Sequence, residues 1–449
     1  MVPPGHSQPF GRRELLVLRE AWPYILAGCT TPLLSMVDTA LLGHWGSEEE
    51  LGGIALGGLV FSFLLWSFGF LRMSTTGYVA QASGAQNWSL VSLLLKRSLA
   101  LALTIASIIL ALQEPILRGA TSVFDAPVEI IGPLGEYYEG RIWGTPAALC
   151  GYAIQGCLIG LGARRGVLWL SLFLNGMNVL FDLFFILGLE WGARGLGWGT
   201  AIAQWASLLF GVWLVRHELI KRLPEGFFAE WAEVFHWREI SRLLRTNFHL
   251  LVRTWTLILA FTIFGRQGAA YGSATLAANH ILLQYVSFSA FFLDGFAYVA
   301  ETRLGQAVGR GQRSEVYLAA IVTSRVAALT ACFLGGALLL LHQPAILVLT
   351  GLSDVVEIAE TYLPFAALYI SLSWGAFQLD GIFIGATAHR DLSIAALQSI
   401  SVYLVAVILL RSAGNAGLWC AFILYVIARA VALLIRYRQM IASVFSLND

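Results

Sequence analysis

Five acidic side chains interrupt stretches that otherwise carry almost no charge: Asp38 in PLLSMVDTALLG, Asp182 in NVLFDLFF, Asp294 and Glu301 in FFLDGFAYVAE, and Asp380 in FQLDGIFIG. Asn178 stands four residues before Asp182, so on a helix the two side chains share a face. Glu301 follows Asp294 by about two turns and lies on a similar face. An ionisable group at the centre of a membrane helix costs roughly 2.5–3.5 kcal/mol on insertion scales, so its presence points to function. Because desolvation disfavours a charged carboxylate, an acid in such a place can carry a proton, and once ionised it can hold a cation. Arg72, Arg325 and Arg429 interrupt comparable stretches. The competing reading of each acid is therefore a structural ion pair, for instance with Arg72, or a cap at a broken helix.

The elements that must position these groups follow from composition. The chain has 449 residues, 58% of them hydrophobic and 12% charged, with 45 Gly, 15 Trp and a net charge of +1. A soluble domain runs near a quarter charged. This chain cannot cover a water-facing surface, which excludes a soluble multidomain enzyme, and its composition is neither disordered nor collagenous. Apolar runs near 22–42, 54–80, 90–112, 138–161, 167–189, 195–215, 249–268, 275–302, 316–341, 360–386, 392–411 and 415–435 predict about twelve membrane-spanning helices. Pro23 and Pro32 remove backbone donors in the first run and predict a bend beside Asp38. No signal peptide is expected, so the first span directs insertion. The glycine-rich GLGARRG and GLGWG sit at span ends without a strand or a phosphate-binding lysine, so no nucleotide site is expected. Gly53 and Gly57 have the spacing that lets helices approach closely. The five cysteines read as buried small hydrophobes.

Lys and Arg placement predicts both termini in the cytoplasm. Arg12, Arg13, Arg19, Lys96, Arg97, Arg164, Arg165 and a cluster from Arg216 to Arg245 fall on one side, whereas the other side carries Glu48 to Glu50, Glu114 and Glu357. The charged stretch at 216–248 reads as a linker at the inner interface, between a six-helix lobe at 1–215 and a second at 249–449. The two halves repeat. A gapless shift of 225 residues lays VAQASGAQN (79–87) over LGQAVGRGQ (304–312) and QGCLIGLGARR (155–165) over DGIFIGATAHR (380–390). With six spans per half the repeat is parallel, an architecture of secondary transporters that rock two lobes about a shared site.

MVDTALLGHWG, the VAQASGA/LGQAVGR pair and DGIFIGATAHRD together resemble the multidrug and toxic compound extrusion (MATE) transporters, and FLDGFAYVAE is similar to the DinF-like branch. The resemblance spans the whole chain. It implies an all-α membrane protein of two six-helix lobes. Its implied activity is export of organic cations and toxic amphiphilic drugs by alternating access, in exchange for protons or, alternatively, Na+. By motif position Asp38 matches the first-helix acid, Asn178 and Asp182 the fifth-helix pair, Thr200 a sixth-helix hydroxyl, Gln155 a polar fourth-helix position and Pro23 the bending proline. Leu34 and Thr31 stand where some relatives carry other polar side chains. Asp38, Asp182, Asn178 and Thr200 are the expected proton-coupling group, and Asp38, Gln155, Asn178, Asp294 and Asp380 the expected substrate contacts. Asp380 falls at a tenth-helix position linked to cation binding in other members, so Asp294, Glu301 and Asp380 form a candidate second-lobe cation site. No enzymatic activity, bound cofactor, metal or nucleic-acid partner is expected. The expected setting is a bacterial inner membrane, with the chain acting as a monomer in the bilayer. A lipid-intermediate flippase of the same superfamily is the rival, disfavoured because such proteins have more cationic cavities.

Overall fold

The computed structural model describes residues 11–45, 47–124, 126–220, 222, 234 and 237–446, with the side chains of 31, 33–45, 237, 238 and 240 outside that description. Among the described residues the regular elements are all helical. In chain order they are α1 (Arg12–Trp45), α2 (Glu48–Ser67), α3 (Phe70–Gly84), α4 (Trp88–Ala111), α5 (Gln113–Val123), α6 (Val128–Arg141), α7 (Thr145–Gly160), α8 (Arg164–Leu183) and α9 (Gly192–Leu219). They continue as α10 (Trp237–Ala269), α11 (Ser273–Gly309), α12 (Arg313–Leu340), α13 (His342–Leu349), α14 (Ser353–Gly385), α15 (His389–Leu409) and α16 (Gly414–Ser446). Eleven helical stretches among the described residues are long and apolar enough to cross a membrane; α2 with α3 counts as one, and α6 with α7 as another. The predicted first span lies on α1.

The chain divides into two compact units, Leu26–Leu244 and Met1–Ile25 with Arg245–Asp449. The division falls inside the predicted linker, of which residues 223–233 lie outside the described residues. The leading turns of α1 go with the C-terminal part of the chain.

In the first unit α2 opens with a capping box: Ser47 accepts from Glu50 N at 3.2 Å, and Glu50 Oε2 accepts from Ser47 N at 3.0 Å. The other carboxylate oxygen, Oε1, accepts from Ala193 N at 3.3 Å. One side chain thus satisfies donors at the starts of two helices. α2 gives way to α3 at Phe68 and Gly69, and α6 to α7 at a 3-10 turn, Ile142–Gly144. α7 and α9 form the centre, with α3, α4 and α6 around them. Gly53 and Gly57 do have a packing role, since a Cβ at Gly53 would lie 2.7 Å from Leu134 N and one at Gly57 2.5 Å from Tyr137 Cδ1.

In the second unit α11 and α14 run unbroken, α14 through Pro364, and pack against each other and α12. Phe264, Tyr369, Tyr403, Trp419, Phe422 and Tyr425 belong to its core. Asn279 and Asn415 exchange amide hydrogen bonds at 2.7 and 3.0 Å, and Trp419 Nε1 donates to Asn279 Oδ1 at 2.9 Å, so this buried polar group is satisfied. The leading turns of α1 join through Glu20, which accepts from Arg303 Nε at 2.8 Å, and Tyr24, edge-on to Tyr298 at 5.7 Å.

Helix ends recur at the 225-residue shift. α3 and α11 end at Gly84 and Gly309, α7 and α14 at Gly160 and Gly385; α4 and α12 begin at Trp88 and Arg313, α8 and α15 at Arg164 and His389. The turns between them hold a left-handed residue at matching places, Gln86 (φ 57°) with Gly311 (φ 70°) and Gly162 (φ 73°) with Thr387 (φ 57°). The glycines shared by the two repeats are helix contacts. A Cβ at Gly160 would lie 2.8 Å from Thr76 O on α3, and one at Gly381 2.6 Å from Ala297 O on α11.

Candidate functional site

In the first unit α8 carries Asn178 and Asp182 into the interior, 1% and 0% exposed. Asn178 Nδ2 donates to Thr200 Oγ1 on α9 at 3.1 Å, and Thr200 Oγ1 donates to Leu196 O at 3.0 Å. Asn178 Oδ1 is buried and has no partner among the described residues, which leaves an acceptor beside the acid. Gly199 lets α9 pass against Asp182, for a Cβ there would stand 2.5 Å from Asp182 Oδ1. One residue beyond Asp182 the α-helix ends and becomes a π-helical turn, Phe184–Gly188. Such turns recur at functional sites because they break the regular backbone ladder. The GLGWG run is a close-packing face: a Cβ at Gly195 would lie 2.9 Å from Phe185 Cβ, and Gly197 lies against the Tyr137 backbone.

Three of the expected side chains, Asn178, Asp182 and Thr200, thus lie near one another on α8 and α9. Gln155 is half-buried on α7 and makes no hydrogen bond among the described residues. Asp38 lies on α1, but its side chain falls outside the described residues, as do those of Leu34 and Thr31. Helix α1 is unbroken through Pro23 and Pro32.

In the second unit Asp380, 4% exposed, is held by two guanidinium groups. Arg253 on α10 donates from Nε at 3.0 Å and from Nη2, and Arg429 on α16 donates from Nη2, all to Asp380 Oδ2. Asp294 and Glu301 on α11 are not among its hydrogen-bonding or ion-pair partners; Asp294 is half-buried and Glu301 1% exposed. This geometry argues against a cation at Asp380, because two fixed positive charges already over-neutralise the carboxylate. Arg429 belongs to the sequence expectation as a cationic counterpart, but Arg253 does not. Its signal is a lone arginine in the apolar run HLLVRTWTLIL. Near the pair stand Tyr425, within electrostatic reach of Asp380 and both arginines, and Tyr403, whose ring lies 5.7 Å from that of Tyr425. No group of three or more potential metal-ligating side chains gathers among the described residues.

Eleven candidate spans among the described residues mark a multi-pass membrane protein, one that buries acid and amide side chains on its spanning helices. The chain belongs to the MatE family, whose pattern matches it twice, over residues 23–184 and 250–410. It is 32% identical over 420 residues to DNA damage-inducible protein F of Escherichia coli (strain K12), covering 93% of this chain and 91% of that one. It is 26% identical over 383 residues to the probable multidrug resistance protein NorM of Xanthomonas axonopodis pv. citri (strain 306), covering 82% and 80%. In fold it is similar to a solved multidrug resistance MATE family transporter of the MOP superfamily in an outward-facing conformation, with TM-score 0.85, 16% identity and 97% of each chain covered.

Proposed function

We propose that this transporter exports organic cations and toxic amphiphilic drugs in exchange for protons, with the coupling acid in the first unit. The observation that carries the reading is the fully buried Asp182, set between Gly199 and the hydrogen-bonded pair Asn178–Thr200. Ionised, Asp182 together with Asp38 offers negative charge to a cation inside low-dielectric surroundings, where the attraction is strong. The unpartnered Asn178 Oδ1 and the half-buried Gln155 add acceptors for substrate N–H groups. Protonation from outside removes that charge and releases the cation, and deprotonation toward the inside restores the site. Pro23 is the bending point of α1 that would link protonation to helix movement. The same reading puts the chain in a bacterial inner membrane, as a monomer with both termini in the cytoplasm.

Proteoliposomes loaded with an ethidium-type cation test it under an imposed pH gradient and, separately, an equal Na+ gradient. Flux that follows the pH gradient alone is expected. Flux that follows Na+ alone overturns proton coupling, and flux under neither overturns export of that cation class.

A further inference from the structure

At Asp380 the second unit sets two positive charges against one carboxylate. Arg253 and Arg429 each bring the fixed charge of a guanidinium, and both bind the same oxygen of one aspartate. The ion pairs formed by Arg253 and Arg429 among the described residues are both with Asp380, so one carboxylate faces two guanidinium groups. A buried ion that its neighbours leave uncompensated is unfavourable in an apolar interior. Each guanidinium has N–H groups beyond those on Asp380: Arg253 Nη1, and Nε and Nη1 of Arg429, make no hydrogen bond among the described residues. Arg253 keeps 12% of its side-chain surface, so the pair is not sealed off. The aspartate holds both guanidinium groups in place before any ligand arrives, which spares the binding step their ordering.

We infer that the second unit contains an anion site, in which Arg253 and Arg429, fixed by Asp380, receive a monoanion. A guanidinium fork matches a carboxylate with two parallel N–H···O bonds and is more weakly hydrated than an ammonium. The occupant is either the carboxylate of a transported amphiphile or a free small anion such as chloride. The first unit has no counterpart: Gly28 and Gln155 match Arg253 and Asp380 at the 225-residue shift, and Ser207 matches Arg429 at the 222-residue offset between the starts of α9 and α16. The inference rests on the export reading only for the claim that a transported molecule supplies the anion.

Equilibrium dialysis of the purified full-length protein in detergent and chloride-free HEPES buffer tests it, with radiolabelled benzoate and radiolabelled chloride as probes. Saturable benzoate binding is expected, weakened at least about tenfold by Arg429→Gln and by Arg253→Gln, each of which leaves Asp380 one arginine. Arg429→Lys, which keeps the charge but loses the planar fork, should bind chloride within about threefold of the unsubstituted protein and benzoate more weakly than that protein does. Chloride that displaces benzoate assigns the site to a free ion, and binding of benzoate alone assigns it to the carboxylate of a larger molecule; both outcomes support the site. Absence of saturable binding by either probe overturns it, as does an Arg429→Gln protein that binds both probes like the unsubstituted protein. Should Arg429→Gln fail to fold, Arg253→Gln tests the same site from another helix. No ion gradient enters the measurement, so a failure of proton-driven export leaves its outcome unchanged.

Discussion

At the 225-residue shift Asn178 and Asp182 of the first unit fall on Tyr403 and Val407 of the second, and Gly28 and Gln155 on Arg253 and Asp380. Helices α9 and α16 begin 222 residues apart, at Gly192 and Gly414, which sets Thr200 on Phe422 and Ser207 on Arg429. Two similar backbones have thus been given opposite chemistry. Where the first joins α8 to α9 by an amide–hydroxyl hydrogen bond beside a buried acid, the second joins α15 to α16 through two phenol rings. Where the second clamps a carboxylate with two guanidinium groups, the first has neutral side chains. The first repeat thus holds a buried acid near a neutral amide and hydroxyl, and the second a buried acid paired with two cations.

The largest expected effect breaks the first half of that contrast. Asp182→Asn should reduce pH-driven cation flux in proteoliposomes to the protein-free background while membrane insertion is retained, and Asp38→Asn should do the same. Flux at the unsubstituted rate in either variant would remove that acid from the coupling group. Next, Asp380→Asn leaves two buried guanidinium groups uncompensated and should destabilise by about 3–5 kcal/mol in thermal unfolding of the detergent-solubilised chain. Combining it with Arg429→Gln should recover part of that loss. A third comparison sets the seams side by side: Gly160→Leu and Gly381→Leu should each cost roughly 1–3 kcal/mol or more by forcing apart helices that touch at the backbone. The smallest effect is expected at Tyr403, whose buried hydroxyl has no partner among the described residues. Tyr403→Phe should leave pH-driven flux unchanged and raise stability by up to about 1 kcal/mol, whereas Thr200→Val, which removes the partner of the Asn178 amide, should lower flux.

Much of this organisation is legible in the residues. Length and apolarity alone mark the spans, and the 225-residue shift is written in Gly156, Gly160, Gly381 and Gly385 because a side chain at those places would strike the neighbouring helix. The grouping of Asn178 with Asp182 follows from helical spacing, and Thr200 joins them by resemblance of motif position. Other features depend on contacts that no local pattern encodes. The breaks at Phe68–Gly69 and Ile142–Gly144 lie inside apolar runs that continue smoothly across them, and the short α5 and α13 fall in the gaps between the predicted spans. Arg253 does not show itself as the partner of Asp380, because the two are separated by 127 residues and meet only through folding. The π-helical turn after Asp182 likewise leaves no signature in FDLFFILG.

The ion pair between Glu20 and Arg303 has a consequence for biosynthesis. The two residues are 283 apart in sequence, and the leading turns of α1 pack with the C-terminal part of the chain. At synthesis rates of about 5–20 residues per second, the earliest helix waits roughly 15–60 s for the helix that neutralises Glu20. During that interval the intervening spans are being threaded into the bilayer, and the start of the chain must stay unattached yet protected. A ribosome-bound chain stopped before α11 should therefore expose Tyr24, which the finished protein buries, to labelling reagents.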